Sequence, residues 1–377
     1  MTQSKKLITG KRVVIKIGSS LLVDQDHGTV HRKWLQALAQ DVAVLSGRGQ
    51  EVIIVSSGAI AVGRRHLKLH EGVLKLDENQ AAAATGMVRL AHAYQEVMAV
   101  HDLTVAQVLL TLDDSEDRRR YINARNTLEA LIRLNAVPLI NENDTVATDE
   151  IRFGDNDRLA ARVAAMISAD ILVLLSDIDG LYTADPRQNP DAGVISEVTD
   201  ITPEIEAMAG DAPTGDGQGD SRGGMVTKLA AAKVCLANGC RMVITNGGEL
   251  HPLKRLEDGE KATWFLPSAT PKGARKRWIA GVLSPQGALV LDEGAVGALA
   301  SGKSLLPAGV VGVEGEFQRG DAVVLKTADG RELGRGLVAY SAKDARMIMG
   351  YKTSEIETLL GYRGRDEMIH RDDLVVS

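Results

Sequence analysis

The chemistry legible in this sequence lies in two lysines and one acidic stretch. Lys16 sits within an apolar run, one residue short of the turn Gly18-Ser19-Ser20. A glycine there lets the backbone approach an anion, and the amides that open a following helix favour negative charge. The plain alternative is a lysine whose stem lies along the strand while its ammonium reaches water. Lys228 closes the stretch Gly223-Gly224-Met225-Val226-Thr227-Lys228, where two glycines lead into a helix over 225–238. A phosphate contact is the reading, and a surface helical lysine is the alternative. Residues 141–157 gather Asn141, Glu142, Asn143, Asp144, Asp149, Glu150, Asp155, Asn156 and Asp157. An acidic pocket of that kind suits an ammonium group, or a magnesium ion held through carboxylates. Asp157 also opens a helix, so an N-cap is its structural alternative, and Asp155 is read as such a cap. No histidine pairs with cysteine or carboxylate at a metal-ligand spacing, so no residue is assigned to a metal. Neither a Ser–His–Asp set nor a Gly-x-Ser-x-Gly elbow stands out.

These residues need elements that bring them to one place. Short β-branched runs occur at Arg12–Ile17, Glu51–Ser56, Thr104–Thr111, Val137–Ile140, Ile171–Ser176 and Arg241–Thr245. Stretches with helical apolar spacing lie between them, at Arg32–Ser46, Glu78–Val100 and Asp157–Ser168. Near-continuous apolar strands alternating with helices predict an α/β domain with a mainly parallel sheet sandwiched by helices. In such sheets ligands bind beyond the carboxyl ends of the strands. Those ends here read Gly18-Ser19-Ser20, Ser56-Ser57-Gly58, Asn141-Glu142-Asn143-Asp144, Ser176-Asp177 and Asn246-Gly247-Gly248. Five polar or glycine-rich ends on one edge predict a site, although polar turns are common at any single strand end.

The first domain is expected over 1–266 and a linker over 267–277, where Pro267, Pro271, Gly273 and several charges cluster. Residues 278–377 change in texture to short runs such as Ala288–Leu291, Val310–Val313 and Ala322–Lys326 between glycine-rich turns, which predicts a small, mostly β domain. Residues 211–224 form the most polar stretch of the first domain, and a loop of that length is expected to be functional or disordered.

Composition narrows the class. With 377 residues, 44% hydrophobic and 25% charged, the chain is an ordinary globular one with enough length for a sizeable core. Its net charge of -6 supplies no global basic field for nucleic acid or an anionic membrane. Two cysteines, Cys235 and Cys240, are too few for a disulfide framework or a four-ligand zinc site, and both are read as core thiols in a reducing compartment. No run approaches the ~18 apolar residues of a membrane helix, and Lys11, Arg12 and Lys16 interrupt any signal-like segment. A cytoplasmic protein without membrane contact is expected.

Several stretches together carry a family resemblance. They are Val14-Ile-Lys-Ile-Gly-Ser-Ser20, Ser56-Ser-Gly-Ala-Ile-Ala-Val-Gly63, Asn123-Ala-Arg-Asn-Thr127 and Asn141-Glu-Asn-Asp-Thr-Val-Ala-Thr148. Gly154-Asp-Asn-Asp157, Gly180-Leu-Tyr-Thr-Ala-Asp-Pro-Arg187 and Gly223-Gly-Met-Val-Thr-Lys228 complete the set. On these the first ~265 residues resemble the amino-acid kinase family, within it the bacterial glutamate 5-kinases, and residues 275–370 look like the PUA domain often attached to them. The resemblance implies transfer of the γ-phosphoryl of ATP to the side-chain carboxylate of L-glutamate, the first step towards proline, with Mg²⁺ accompanying ATP. It implies that Lys16 contacts the transferring phosphoryl group, Lys228 neutralises the nucleotide side, and Asp157 orients both. It further implies that Ser57, Asp144 and Asn156 hold glutamate, while Ser176, Asp177, Gly223, Gly224, Met225, Thr227 and Lys228, with Lys16, line the nucleotide site. A homo-oligomer, feedback by proline and a glutamate-5-semialdehyde dehydrogenase partner follow as expectations from the same resemblance. One departure is local: Asp216, Asp220 and Arg222 crowd the approach to Gly223-Gly224.

Other readings compete. Acetylglutamate kinase or aspartokinase would carry Gly-Gly after the first lysine, where this chain has Gly18-Ser19, and an acetylated amine would not need Asp144. The PUA-like domain suggests RNA binding, but residues 272–377 hold 15 Lys and Arg against 14 Asp and Glu without a basic stripe, so nucleic acid is not the expected partner. Finally, Gly297-Ala-Leu-Ala-Ser-Gly302-Lys303-Ser304 fits the P-loop pattern, which requires a strand before it and a helix beginning at the Lys-Ser. Here a short helix is predicted before Gly302, and Pro307 limits any helix after it. Lys303→Ala is therefore expected to leave ATP affinity unchanged in a calorimetric titration, and a large loss would restore the P-loop.

Overall fold

A computed structural model describes residues 6–24, 29–70, 72–146, 156–184, 186, 189, 191–209, 224–281 and 284–376. The chain divides into two compact units, Met1–Pro271 and Lys272–Ser377. In the first, the strands are β1 (Arg12–Ile17), β2 (Glu51–Val55), β3 (Thr104–Leu110), β4 (Ala136–Glu142) and β5 (Ile171–Ser176). The short strands β6 (Leu181–Tyr182), β7 (Val194–Ile195) and β8 (Glu197–Val198) follow, then β9 (Arg241–Asn246) and β10 (Ala262–Phe265). Eight of them form one sheet in the order β3-β4-β2-β1-β5-β9-β10-β8, and β6 pairs with β7 in a separate ribbon. Every neighbouring pair in the large sheet is parallel except β9 and β10.

Strand alternation decides what each face carries. Val13, Ile15 and Ile17 of β1 pack with Leu35 and Leu38 of the helix Arg32–Gly47 and with Leu90 and Tyr94 of the helix Leu76–Ala99. On the other face Val14, with Ile53, Val55, Leu172 and Leu174, packs against Leu159 and Val163 of the helix Asn156–Met166 and Leu229 of the helix Met225–Ala237. Lys16 is two residues beyond Val14, so it continues that second face into the space where the last two helices begin. The parallel order brings the carboxyl ends of β1, β2, β4, β5 and β9 to the same edge.

The helices on the first face are held close by glycine. A Cβ on Gly63 would fall 1.7 Å from the Ala82 carbonyl oxygen, and one on Gly86 1.7 Å from that of Ala59. The helices Ala59–His66 and Leu76–Ala99 therefore cross backbone to backbone, which carries Tyr94 up to the end of β2.

The second unit holds β11 (Gly287–Leu291), β12 (Val310–Gly315), β13 (Ala322–Thr327), β14 (Glu332–Leu337) and β15 (Leu374–Val376) in the order β12-β11-β13-β14-β15. Its core gathers Leu289, Phe317, Leu325, Ile348 and Ile369. The stretch expected to be a linker, 267–277, is helical from Pro271 onward, in a helix running to Gly281. Proline suits a first helical position. Arg275 then lies buried with its Nη2 2.6 Å from Asp373 Oδ1, and Ile279 is buried with Ala322 and Leu337. Turn-forming composition concealed these two anchoring residues. The P-loop look-alike begins inside the helix Glu293–Ala300, in its last turn, instead of preceding a helix, and Gly302 follows at φ +75°. Both cysteines are free and buried. Among the described residues no helix is long and apolar enough to cross a membrane.

Candidate active site

β1 ends at Ile17, and the chain turns at Gly18, whose N–H donates to the Leu175 carbonyl of β5 (3.2 Å). That bond ties the Gly18-Ser19-Ser20 turn to the strand that delivers Ser176 and Asp177. Lys16, just below the turn, is only 9% exposed. Its Nζ lies 2.7 Å from Asp157 Oδ1, while Lys228 Nζ lies 3.3 Å from Oδ2 of the same carboxylate. Three chain segments thus meet on one aspartate that is wholly buried.

Helix geometry explains the meeting. Asp157 stands in the first turn of Asn156–Met166, where the unpaired amides of a helix start favour a carboxylate. Lys228 stands in the first turn of Met225–Ala237, after Gly224 in extended conformation. Thr227 donates its hydroxyl to the Gly224 carbonyl (2.8 Å), with Asp157 Oδ2 3.3 Å away. Burial alone would raise the Asp157 pKa, but the two ammonium groups outweigh it and hold the carboxyl below its ordinary range. Among the described residues the cluster sets two ammonium groups against one carboxylate, a balance that suits an anion.

Next to Asp157, Asn156 joins a second group. Its Nδ2 donates to Ser57 Oγ (2.8 Å) and to the Ser56 carbonyl (3.2 Å). Gly58 follows at φ +95°, a left-handed conformation that suits glycine and swings the chain out of β2 into the helix Ala59–His66. Asp144 lies in a single 3-10 turn, Asp144–Val146, after β4. Burial pushes its carboxyl up to about 6, partly offset by a backbone hydrogen bond. No hydrogen bond or ion pair among the described residues links Asp144 to Ser57 or Asn156. On the other flank, Ser176 Oγ donates to Asp177 Oδ1 (3.0 Å), and the Ser176 carbonyl accepts from Gly247 N (2.8 Å). Gly247 is held in turn by the Trp34 indole N–H, 2.6 Å from its carbonyl.

The structure therefore joins Lys16, Asp157, Thr227, Lys228 and Gly224 in one cluster and Ser57 with Asn156 in an adjoining one. Met225 opens the helix beside them, Ser176 and Asp177 line the β5 end, and Asp144 stands at the end of β4. Gly223, with Asp149, Glu150, Asp155, Asp216, Asp220 and Arg222, lies outside the described residues. The sequence reading did not single out Tyr94 or Trp34, which reach the site edge from helices whose apolar periodicity marks them only as core. Among the described residues, no group of three or more His, Cys, Asp or Glu side chains is placed to hold a metal ion.

Residues 11–246 match the amino acid kinase family and residues 287–360 match the PUA domain. A glutamate 5-kinase of Paramagnetospirillum magneticum is 65% identical, the match covering 98% of this chain and 99% of that protein. One of Rhodospirillum rubrum is 61% identical over 96% of each. The chain belongs to the glutamate 5-kinase group of the amino acid kinase family. A carbamate kinase of Giardia lamblia, solved bound to AMP-PNP, shares the amino acid kinase fold at 18% identity and a TM-score of 0.50, over 70% of this chain and 100% of that one. The mainly parallel sheet with helices on both faces and the mostly β PUA unit are the two parts that these matches cover.

Replacing Asp157 by Asn would remove the carboxylate that both buried ammonium groups face. Asp157→Asn is expected to lower the unfolding free energy by about 3–5 kcal/mol in denaturant titrations near neutral pH. A change below about 1 kcal/mol would contradict the cluster's stabilising role. Because the folded pKa is lowered, the wild-type contribution is fully present above the ordinary value near ~4 and is lost as pH falls through the folded one.

Proposed function

We propose that this glutamate 5-kinase family member transfers the γ-phosphoryl group of ATP to the side-chain carboxylate of L-glutamate, giving L-glutamyl 5-phosphate and ADP, at the head of proline synthesis. The kinase domain is assigned to 1–266 and the PUA-like domain to 278–377, with the enzyme acting in the cytoplasm. The observation that carries the reading is the convergence of Lys16 and Lys228 on Asp157 at the carboxyl edge of the sheet, beside the Ser57–Asn156 pair.

The chemistry requires little else from side chains. A glutamate carboxylate, with an ordinary pKa of ~4.3, is already ionised at neutral pH and needs no general base. One of its oxygens attacks the γ-phosphorus, the bond to the β,γ-bridging oxygen breaks, and ADP leaves with the electron pair. The transition state spreads charge over three equatorial oxygens. Lys16 contacts the transferring phosphoryl group and Lys228 neutralises charge from the nucleotide side, while Asp157 keeps both ammonium groups in place. Ser57 and Asn156 hold the glutamate, and Asp144 receives its ammonium. Ser176, Asp177, Gly223, Gly224, Met225 and Thr227 line the nucleotide site. Magnesium is read as entering with the triphosphate, as part of the substrate.

Acyl phosphate trapped with hydroxylamine provides the test of substrate. Glutamate is expected to give product and N-acetylglutamate none, because Asp144 recognises a free ammonium; the reverse result would move the chain to the acetylglutamate kinases. Lys16→Ala and Lys228→Ala are each expected to lower kcat at least about a hundredfold with the fold retained, the usual loss of one charge-stabilising contact. A folded variant of near-normal kcat would contradict its assigned role. The raised Asp144 carboxyl adds a pH signature. Below about 6 it is neutral and no longer attracts the ammonium, so kcat/KM for glutamate falls as the medium becomes more acid and is flat above. Asp144→Asn is expected to raise KM for glutamate and remove that inflection, and an unchanged inflection would assign it to another group.

A further inference from the structure

Behind Ser57 lies a hydrogen-bonded chain that the phosphotransfer reading does not use. Tyr94 comes from the helix Leu76–Ala99 and is fully buried in the core on the first face of the sheet. Its hydroxyl lies 3.2 Å from Ser56 Oγ, and Ser56 Oγ lies 3.3 Å from the Ser57 carbonyl. A carbonyl only accepts, so Ser56 donates to Ser57 and the Tyr94 hydroxyl donates to Ser56. From the opposite side Asn156 donates to Ser57 Oγ and to the Ser56 carbonyl. The dipeptide Ser56–Ser57 is therefore gripped on both sides at the point where Gly58 turns the chain out of the sheet.

Packing alone does not account for the pair. A phenylalanine and an alanine would fill the same volumes without bringing two hydroxyls into an apolar core, and buried hydroxyls cost free energy unless they are paired. Burial raises the Tyr94 hydroxyl far beyond neutrality, with the Ser56 bond opposing it in part, so it stays a proton donor throughout the working range.

We infer that Tyr94, acting through Ser56, is a positioning residue for the glutamate subsite, fixing the orientation in which Ser57 meets the substrate. The inference rests on the assignment of Ser57 to glutamate made above. It places the effect on glutamate binding, because Tyr94 packs on the first face of the sheet, whereas Lys16 and Lys228 meet Asp157 on the other.

The test is steady-state kinetics of the full-length chain, wild type beside Tyr94→Phe, Ser56→Ala and the double variant, with thermal unfolding measured on each. Tyr94→Phe and Ser56→Ala are each expected to raise KM for glutamate between about three- and tenfold, the scale of one net hydrogen bond. KM for ATP and kcat stay within about twofold, and the double variant is no worse than the worse single one, as members of one chain require. A glutamate KM unmoved in both single variants, with only the melting temperature lowered, would make the pair structural and overturn the inference. So would equal changes in both Michaelis constants. A wild-type enzyme that fails to phosphorylate glutamate would instead overturn the underlying functional reading, and the positioning role with it.

Discussion

The rest of the site depends on a buried carboxylate shared by two ammonium groups. Asp157 is wholly inaccessible, and each of its oxygens faces one lysine. Such an arrangement is tolerated only because opposite charges are in contact and a helix start adds favourable dipoles. Among the described residues it also sets two ammonium groups against one carboxylate, which suits an anion. An incoming polyanion completes the charge balance and finds donors already oriented, with no reorganisation to be made at the moment of reaction. The aspartate holds the two lysines, and in the proposed function the lysines are the groups that meet the phosphoryl.

Sheet geometry makes this cluster possible. Lys16 reaches Asp157 because alternation along β1 sends Val14 and Lys16 to the face that carries the helices Asn156–Met166 and Met225–Ala237. A shift of one residue in β1 would turn Lys16 towards the opposite helices and leave Asp157 with half its partners. The same edge receives Ser57 from β2, and Asn156 beside Asp157 ties that serine to the helix. Adjacent residues on one helix start therefore hold both groups, Asn156 the end of β2 and Asp157 the two lysines.

Much of this was legible in the residues. The apolar strands, their parallel order and the polar carboxyl ends follow from pattern, and Lys16 drew attention because a lysine ending a buried strand before a glycine turn needs a reason. Other parts carried no such signal. β10, with β8 beyond it, runs opposite to the other six strands of the sheet, a reversal that four residues, Ala262–Phe265, do not announce. The helix from Pro271 hid behind turn-forming composition because its anchors, Asp373 for Arg275 and Leu337 for Ile279, are far away in sequence. Tyr94 and Trp34 look like ordinary core aromatics, and only coordinates show that each spends its polar atom on the edge of the site.

The central claim is that both ammonium groups held by Asp157 face the phosphoryl group in transit. A crystal structure of the complex with glutamate, magnesium and a non-hydrolysable ATP analogue measures this directly. The account predicts oxygens of the terminal phosphate within hydrogen-bond reach, about 3 Å, of both Lys16 Nζ and Lys228 Nζ. A terminal phosphate seated away from the two lysines, with both still turned only towards Asp157, would contradict it.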